Sequence, residues 1–508
     1  MSRSARRRPR SQRSGATVSG DSSRLVRRGR VAVVALLLAI CVGVGITLWH
    51  GAIKPLPEGL SVEGPIRLAQ DVRFLADLTY VDAAGARGVD QSIFDEMIRM
   101  IRGARERLIL DLFLYNDLRG ATPNDEGAPD RAGLRALSSE LTDVLVEQKR
   151  AFPELEALLV TDPINTVYGG IGAPHLERLR AHGIPVVITD LARLRDSNAL
   201  YSSFWRTFIR PFGRGRSGLF PNPFGGDDIS LRTQLRVLNF KANHRKTLVA
   251  DSTTGFHGLV TSANPHDASS AHGNVAIRFD GLAVADLLET ERAVIALSGG
   301  PVPAPLQQPG PSQGPVRIRV LTEGKIGRAL DEALETSRSG DEIAVAVFYL
   351  SDRRIVRRLI EAHARGASVR VLLDPNKDAF GRRKNGVPNR PVAAELHRTG
   401  IRVRWCDTHG EQCHTKLLLR RRGTESILIT GSANFTRRNL RDLNLETNVW
   451  LSAGGESAVM REAWSYFERV WSNEPGRRYS VEYAVYADES LWKAALYRLS
   501  ELSGIGTF

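Results

Sequence analysis

The sequence predicts an α/β protein made of two pseudo-repeated lobes, each a mainly parallel sheet flanked by helices, preceded by one transmembrane helix. Three observations lead to this fold class. A polar motif occurs twice, starting at His244 and again at His414, and its polar positions keep the same offset between the two copies. Short apolar segments alternate with helical segments in both halves, as in βαβ units. An uncharged apolar run lies near the N-terminus.

The N-terminal segment 1–30 carries most of the positive charge of the chain. It contains ten Arg and one Asp, which gives +9 of the total +14 and leaves +5 for the segment 31–508. Because residues 1–30 are rich in Ser, Arg and Gly and poor in apolar side chains, we expect a disordered basic tail there. The small charge of the remainder argues against a nucleic-acid-binding protein.

Residues 31–49 contain no charged side chain. As a helix they would span about 28 Å at about 1.5 Å per residue, close to the thickness of a bilayer core. A buried helix or a signal peptide would also be apolar, but a signal peptide is usually shorter and ends in a small-x-small cleavage site. We therefore predict a single-pass membrane anchor with a cytoplasmic N-terminus, because arginines precede it, and an extracytoplasmic folded part.

Two lobes are predicted at 60–298 and 316–508, joined by a linker at 299–315 that is rich in Pro and Gly. A chain of 508 residues is long enough for two full-sized cores. In each lobe three strand segments alternate with helical segments before the motif. The second strand of each lobe ends in similar polar residues, Asp-Pro-x-Asn at 162–165 and Asp-Pro-Asn at 374–376.

The first lobe carries an insertion at about 191–240 that the second lobe lacks. Eight residues of this insertion are aromatic. Leu200, Phe204 and Phe208 share one helical face. The pattern fits either an interfacial helix at a membrane or a helix that packs on the lobe with its aromatic residues as core. In both cases the insertion would wall a site at the following strand.

Each copy of the motif begins with His-x-Lys and continues to Ser-Ala-Asn. On a strand, the His and Lys side chains would face the same side. A histidine can attack phosphorus or protonate a leaving oxygen near neutral pH. Lysine, Asn and Ser donors can hold phosphate oxygens and stabilise the charge that develops on them. The paired positions are His244 and His414, Lys246 and Lys416, Ser262 and Ser432, and Asn264 and Asn434.

A single His-x-Lys pair on a strand is most often an ordinary surface pair. Two copies, each followed at the same distance by Ser-Ala-Asn, favour a catalytic site with one histidine to attack and one to protonate. This chemistry requires no metal ion and no other cofactor. Because both copies lie on one chain, a monomer is sufficient to complete the site.

The pattern HxKxxxxD followed by GSxN resembles the duplicated signature of the phospholipase D superfamily. The segment LLDPNKDAFGRRKNGVPNR, residues 372–390, resembles a signature of exported bacterial phospholipase D-like and cardiolipin synthase-like members. The first copy has Asp251 but carries Thr261 where Gly is usual. The second copy has the complete GSAN but carries Arg421 in place of the Asp. The resemblance implies that this Asp is supportive, and that a phosphohistidine forms on His244 while His414 protonates the departing alkoxide.

The resemblance also implies that a carboxylate downstream of one motif orients the histidine of the other. Glu446 suits this role for His244. The constant offset between the two copies pairs Glu446 with Ala276, so the partner of His414 must come from elsewhere, and Asp267 is the candidate. The basic residues of the segment 372–390 fit either contacts to a lipid headgroup or a solvated loop.

The chain has three cysteines. Cys41 lies in the apolar run, whereas Cys406 and Cys413 flank the approach to His414. In an oxidising compartment such a close pair can form a disulfide, and two unrelated thiols are the alternative.

These observations predict a membrane-anchored phospholipid phosphodiesterase or phosphatidyltransferase, with a membrane phospholipid and either water or an alcohol as its partners. The alternative in another substrate class is an exported metal-independent nuclease, which would show strong salt dependence. The charge of +5 outside the tail and the aromatic insertion argue against that nuclease. A non-catalytic lipid-binding scaffold is suggested by Arg421 and Ala276, but the two intact His-x-Lys pairs argue against it.

Overall fold

The computed structural model describes residues 20–118, 134–212, 218–307, 313–379 and 382–506. In these ranges the N-terminal half contains helices α1–α7 and strands β1–β9. The helices are α1 (Gly20–Leu48), α2 (Ile93–Gly103), α3 (Leu137–Ala151), α4 (Pro174–Ala181), α5 (Ala199–Phe204), α6 (Leu231–Val237) and α7 (Leu282–Leu297). The strands are β1 (Arg67–Ala69), β2 (Arg73–Asp82), β3 (Arg87–Asp90), β4 (Arg107–Leu112), β5 (Glu156–Thr161), β6 (Val186–Ile188), β7 (Lys246–Ser252), β8 (Gly255–Thr261) and β9 (Asn274–Asp280).

The C-terminal half continues with strands β10–β20 and helices α8–α13. The strands are β10 (Val316–Thr322), β11 (Glu342–Val347), β12 (Ser368–Leu373), β13 (Asp378–Ala379), β14 (Arg382–Arg383), β15 (Arg402–Cys406), β16 (Lys416–Arg422), β17 (Glu425–Gly431), β18 (Thr447–Gly454), β19 (Arg477–Arg478) and β20 (Ser480–Glu482). The helices are α8 (Gly324–Glu335), α9 (Arg353–Ala364), α10 (Asn389–Arg398), α11 (Arg437–Leu440), α12 (Ala458–Ser472) and α13 (Leu491–Ser503).

The two lobes repeat one sheet topology, which confirms the predicted α/β pseudo-repeat. The order β9-β8-β7-β4-β5-β6 in the first sheet matches β18-β17-β16-β11-β12-β15 in the second. Each lobe also gives a short strand to the other sheet, since β1 pairs with β10 and β19 pairs with β2.

The prediction that each sheet is mainly parallel is wrong. Only β4-β5-β6 and β11-β12-β15 are parallel. The motif strands β7 and β8, and likewise β16 and β17, form antiparallel hairpins. The reason is the short turn between them, because a parallel pair needs a crossover of about a dozen residues or more.

The core has three layers of apolar side chains. Alternate residues of each strand face opposite sides of its sheet. One face of each sheet packs against the other sheet, with Val249 and Leu417 among the buried residues of this shared core. The outer face of the first sheet is covered by α2, α3 and α4, and that of the second by α8, α9 and α10. The motif strands therefore lie in the interior of the molecule.

Residues Val26–Ile53 form the helix that, in the described parts of the chain, is long and apolar enough to cross a bilayer. This finding rests on length and composition. Helix α1 already begins at Gly20, so the prediction of a disordered tail is wrong for residues 20–30, and the rest of that tail, 1–19, lies outside the described residues. The physical reason is that extending a helix which has already formed costs little.

The insertion of the first lobe docks on the C-terminal end of α1. Ser203 in α5 accepts a hydrogen bond from Thr47 in α1, with 2.8 Å between their oxygens. Leu200, Phe204 and Phe208 are exposed by 66%, 52% and 60% of their surface, so these three residues are not core. The interpretation of this face as core packed on the lobe is therefore wrong for these three residues.

Candidate active site

The two motif histidines meet where the lobes join. His244 immediately precedes β7, and its backbone N–H donates to the carbonyl of Leu445 in the other lobe at 2.9 Å. His414 immediately precedes β16, and its N–H donates to the carbonyl of Gly273 at 2.8 Å. Each histidine is thus fixed by a backbone bond across the interface, which gives the site an approximate twofold arrangement.

The Nδ1 atom of each ring contacts an oxygen from the opposite lobe. Nδ1 of His244 lies 3.0 Å from Oε2 of Glu446, and Nδ1 of His414 lies 3.1 Å from Oδ1 of Asn274. Both oxygens are acceptors, so each Nδ1 carries the proton. In the neutral rings, Nε2 therefore holds the lone pair that can attack phosphorus or accept a proton.

Asn274 corrects the expected partner of His414. Asp267 instead accepts hydrogen bonds from the backbone and hydroxyl of Ser138, at 3.0 and 2.7 Å. The constant offset between the copies fails after Ser-Ala-Asn, because the segment from Asn264 to Asn274 is two positions shorter than the segment from Asn434 to Glu446. The shorter loop moves the counterpart of Glu446 from Ala276 to Asn274.

The motif serines hold these orienting side chains. Ser262 Oγ donates to Asn274 Oδ1 at 3.0 Å, and Ser432 Oγ donates to Oε2 of Glu446. Asn439, which the sequence analysis did not single out, donates to Oε1 of Glu446. Glu446 is fully buried, so these donors and the histidine are what make a carboxylate tolerable there.

The motif lysines are buried beside the histidines. Lys246 Nζ donates to the carbonyl of His244 at 2.6 Å, and Lys416 Nζ donates to that of His414. Burial lowers the pKa of Lys246 to about 7, and it lowers the pKa of Lys416 well below its usual value. An anion placed between the two ammonium groups would oppose this effect, so the pair suits a phosphate.

Burial also lowers the pKa of both histidines. The pKa of His244 falls to about 4 because desolvation outweighs the opposing effect of Glu446. The pKa of His414 falls well below its usual value, through desolvation and the charges of Lys416 and Lys246. The ring of His272, another residue that the sequence analysis missed, lies 5.9 Å from that of His414. Both motif histidines are therefore neutral near pH 7 before an anion binds.

Two phenylalanines at equivalent positions line the histidines and lysines. Phe113 follows β4 and its ring lies 4.7 Å from that of His244, and Phe348 follows β11 and lies 5.2 Å from His414. Lys246 Nζ lies 4.9 Å from the Phe113 ring centre. Both phenylalanines directly follow the first parallel strand of a lobe, but nothing in the sequence at these positions indicated a chemical role.

The two Asp-Pro sequences position the segment before each histidine. Asp162 accepts from the backbone N–H of Asn243 at 2.7 Å, and Asp374 accepts from that of Cys413 at 2.9 Å. Burial raises the pKa of Asp162 to about 7 and that of Asp374 to about 6. Cys413 is also joined to Cys406 by a disulfide with 6.2 Å between the Cα atoms, which ties the same segment to β15.

Asp251 and Arg421 lie at the far ends of their strands from the histidines. Asp251 accepts from the backbone N–H groups of Arg105, Glu106 and Arg107, at 2.8 to 3.1 Å. In the second lobe Arg421 pairs with Glu342 instead, at 2.8 Å. Arg421 in place of Asp in the second copy therefore exchanges one contact at the end of the strand for another. Neither contact involves a motif histidine.

Replacing Asp251 with Ala is expected to lower the free energy of unfolding by about 3 kcal/mol, because three backbone donors lose a charged acceptor. Replacing Arg421 with Ala, the matched change in the other lobe, removes a half-exposed ion pair and should cost less than about 1 kcal/mol. Denaturant titration checks both values. Equal losses in the two variants would contradict these separate roles.

Basic side chains of the segment 372–390 stack on aromatic rings beside the site. Lys384 Nζ lies 5.9 Å from the ring centre of Phe348 and 4.9 Å from that of Tyr349. Lys377 and Arg390 both lie 5.3 Å from the ring centre of Tyr486. At these three residues the segment is therefore packed against the lobe rather than being a solvated loop. In the described parts of the chain, no group of three or more His, Cys, Asp and Glu side chains is arranged to hold a metal ion.

One family model matches part of the C-terminal half of the chain. A family model described as "Cardiolipin synthase, PLD-like domain" matches residues 330–471. No curated protein matches the sequence. Among solved structures, phosphatidylserine synthase from Haemophilus influenzae aligns with a TM-score of 0.52 and 10% identity, over 87% of this chain and 96% of that chain. Identity this low shows a shared fold.

Two other solved structures align more weakly. Polyphosphate kinase from Porphyromonas gingivalis aligns at 13% identity and a TM-score of 0.42, over 85% of this chain and 53% of that chain. The phospholipase D family member Nuc from Salmonella typhimurium aligns at 18% identity and a TM-score of 0.26, over 33% of this chain and 99% of that chain.

Proposed function

We propose that this chain, which belongs to the phospholipase D superfamily, is a membrane-anchored phosphodiesterase or phosphatidyltransferase that acts on a phospholipid through a phosphohistidine. The observation that carries the proposal is the pair of imidazoles, one from each lobe, with Nδ1 held at 3.0 and 3.1 Å and a buried lysine beside each ring. Such a pair can divide the exchange of one phosphoester bond into two steps.

In the first step Nε2 of His244 attacks phosphorus, and the bond from phosphorus to the leaving oxygen breaks. His414 gives its Nε2 proton to the departing alkoxide. In the second step His414, now neutral, takes the proton of water or of an acceptor alcohol, whose oxygen attacks phosphorus and releases His244. Lys246, Lys416 and the amides of Asn264 and Asn434 stabilise the phosphoryl oxygens in both steps.

The assignment of His244 as nucleophile is supported by the charge of its partner. Its ring becomes a cation when the bond to phosphorus forms, and the Glu446 carboxylate at 3.0 Å stabilises that cation. The amide oxygen of Asn274 at His414 carries no net charge. His414 must be protonated to act as an acid, and the anionic substrate raises its pKa towards that state.

A membrane phospholipid is the proposed substrate because the chain has an apolar helix and an exposed apolar face in the insertion that precedes the first motif. Helix α1 is long and apolar enough to span a bilayer. The insertion that precedes β7 contacts α1 and exposes Leu200, Phe204 and Phe208. The arginines that precede the apolar run 31–49 support a cytoplasmic N-terminus and an extracytoplasmic catalytic part. The disulfide between Cys406 and Cys413 supports the same side of the membrane.

The test uses the full-length protein in mixed micelles of phosphatidylglycerol and cardiolipin, with EDTA present, and single-stranded DNA in a parallel reaction. We expect release or transfer of a phosphatidyl group and an intact DNA strand. Cleavage of DNA alone would establish a nuclease. No reaction with either substrate, in protein shown to be folded, would favour the lipid-binding scaffold.

A further inference from the structure

The C-terminal helix α13 has an apolar face that is largely exposed in the described chain. The positions on this face are Leu491, Trp492, Leu496, Leu499 and Leu502, which follow one another at helical spacing. Leu491 is 85% exposed, Leu499 is 62% exposed and Leu502 is 80% exposed. Ile505, just beyond the helix, continues the patch. A contiguous exposed patch of this kind marks an interaction surface rather than ordinary surface variation.

The opposite face of α13 is held firmly on the lobe. Tyr497 is 1% exposed, and its hydroxyl donates to the carbonyl of Ser351 at 2.9 Å. Glu501 accepts from the Ser351 hydroxyl at 2.8 Å and from the backbone N–H of Arg437 at 2.9 Å. The helix is thus a fixed part of the fold, and its leucines are presented outward in a defined direction.

Helix α13 lies on the catalytic side of the second lobe. Ser351 closely follows the carboxyl end of β11, where Phe348 contacts His414. Arg437 closely follows the motif residue Asn434 in the sequence. Helix α13 is therefore attached to the segments that follow β11 and the second motif, at the end of the sheet where His414 lies.

The patch is continuous with the segment that holds α1. Gly504 caps α13 in the left-handed conformation, at a φ of 76°, and packs against the carbonyl of Ser197 so closely that no side chain fits there. Ser197 closely precedes α5, whose Leu200 and Phe204 are exposed and which contacts α1 through Ser203. The C-terminal end of α13 thus adjoins the segment that leads into α5, and α5 contacts α1.

We propose that the exposed face of α13 lies in the interface of the lipid bilayer, as a second membrane contact beside α1. This inference rests on the proposed membrane location of the site. The chemistry fits, because an interfacial helix has one apolar face and a polar face directed at the protein or at water. Trp492, which is 59% exposed, is a residue type that is enriched at the membrane–water interface. Together α1 and α13 would hold the site opening towards the lipid.

The test measures the depth of a fluorophore in the full-length protein, reconstituted in vesicles of phosphatidylethanolamine and phosphatidylglycerol. Cys41→Ser removes the free cysteine, and Leu502→Cys provides the labelling position. The matched control is Thr424→Cys, which is exposed in the turn between β16 and β17. That turn lies about 23 Å from the Lys416 end of β16, at about 3.3 Å per residue.

We expect lipids brominated on their acyl chains to quench the label at position 502, and aqueous iodide to quench the label at position 424. Iodide quenching at position 502 equal to that at 424 would overturn the proposal. Protection of position 502 from both quenchers would also overturn it, because another protein surface would then cover the face. The quenching measurement does not depend on catalysis. An enzyme that is active on phospholipid but has an iodide-accessible label at position 502 would therefore refute the membrane contact of α13 and leave the proposed function intact.

A second variant tests the consequence for catalysis. Leu502→Glu changes an exposed side chain, so it should leave the fold and the rate on a water-soluble phosphodiester unchanged. We expect a several-fold lower rate on phospholipid in vesicles, because the charge opposes insertion of the face into the interface. An unchanged rate on vesicles would contradict a role of α13 at the membrane.

Discussion

Replacing His244 with Ala is expected to lower kcat by about 10⁴-fold or more, because loss of a nucleophile removes the covalent route altogether. Replacing His414 with Ala should spare the first step on a substrate whose leaving group needs no proton, such as a nitrophenyl diester. The second step then lacks its base. The His414→Ala variant should therefore accumulate phosphoryl enzyme on His244, detectable by mass spectrometry of an alkaline-quenched reaction.

The control for this experiment is His182→Ala, since His182 lies between α4 and β6 and contacts local groups, at the carbonyl of Arg178 and the guanidinium of Arg150. It should retain the rate of the unaltered protein. A covalent adduct on His414 in the His244→Ala variant would show that His414 is the nucleophile and His244 the acid. Full activity of His414→Ala on phospholipid would contradict a two-histidine mechanism.

The repeated motif correctly predicts two lobes and identifies the histidines and lysines that meet between them. It does so because two copies of one motif occupy equivalent strands of two similar sheets. The prediction fails where a loop changes length. The constant offset between the copies pairs Glu446 with Ala276, but the loop before β9 is shorter by two positions, and Asn274 occupies the place. A constant sequence offset identifies equivalent positions only where no insertion or deletion lies between the two copies.

The direction of the strands was also predicted wrongly, again because of the segments that connect them. Apolar segments between helices indicate parallel strands, which holds for β4, β5 and β6. The strands after the insertion are joined by turns rather than by helices, and short turns impose antiparallel pairing. The exposed face of α13 was also missed, because a sequence pattern does not tell which apolar face of an amphipathic helix is buried.

His244 has a carboxylate at Nδ1 and His414 has an amide oxygen. Exchanging charge for no charge at these two partners should therefore shift the pKa values of the two histidines in opposite directions. Glu446→Gln keeps the shape of the side chain but removes the charge that raises the pKa of His244. The pKa of His244 should fall further, so the acid limb of the kcat/KM profile should move to lower pH. The rate on the plateau should drop about 10²- to 10³-fold, as for the loss of one charge-stabilising group.

Asn274→Asp makes the reverse change at the other histidine. A carboxylate at Nδ1 of His414 would raise its pKa, which burial and Lys416 now hold well below the usual value. Because His414 acts as the acid in its protonated form, the limb of the profile that reports its deprotonation should move to higher pH. The matched control is Asn444→Asp, the position that the constant offset pairs with Asn274.

Asn444 accepts from the backbone N–H of Ala242 at 3.2 Å, and an aspartate can do the same. This variant adds the same charge near the site without placing it on Nδ1 of either ring, so the shift of the limb should be smaller. Equal shifts for Asn274→Asp and Asn444→Asp would indicate a general effect of added charge. Two results together would assign the acid to His414 and the nucleophile to His244. The limb that reports deprotonation of the acid would move only with Asn274→Asp, and the acid limb would move to lower pH with Glu446→Gln. Each partner would then control the pKa of its own ring.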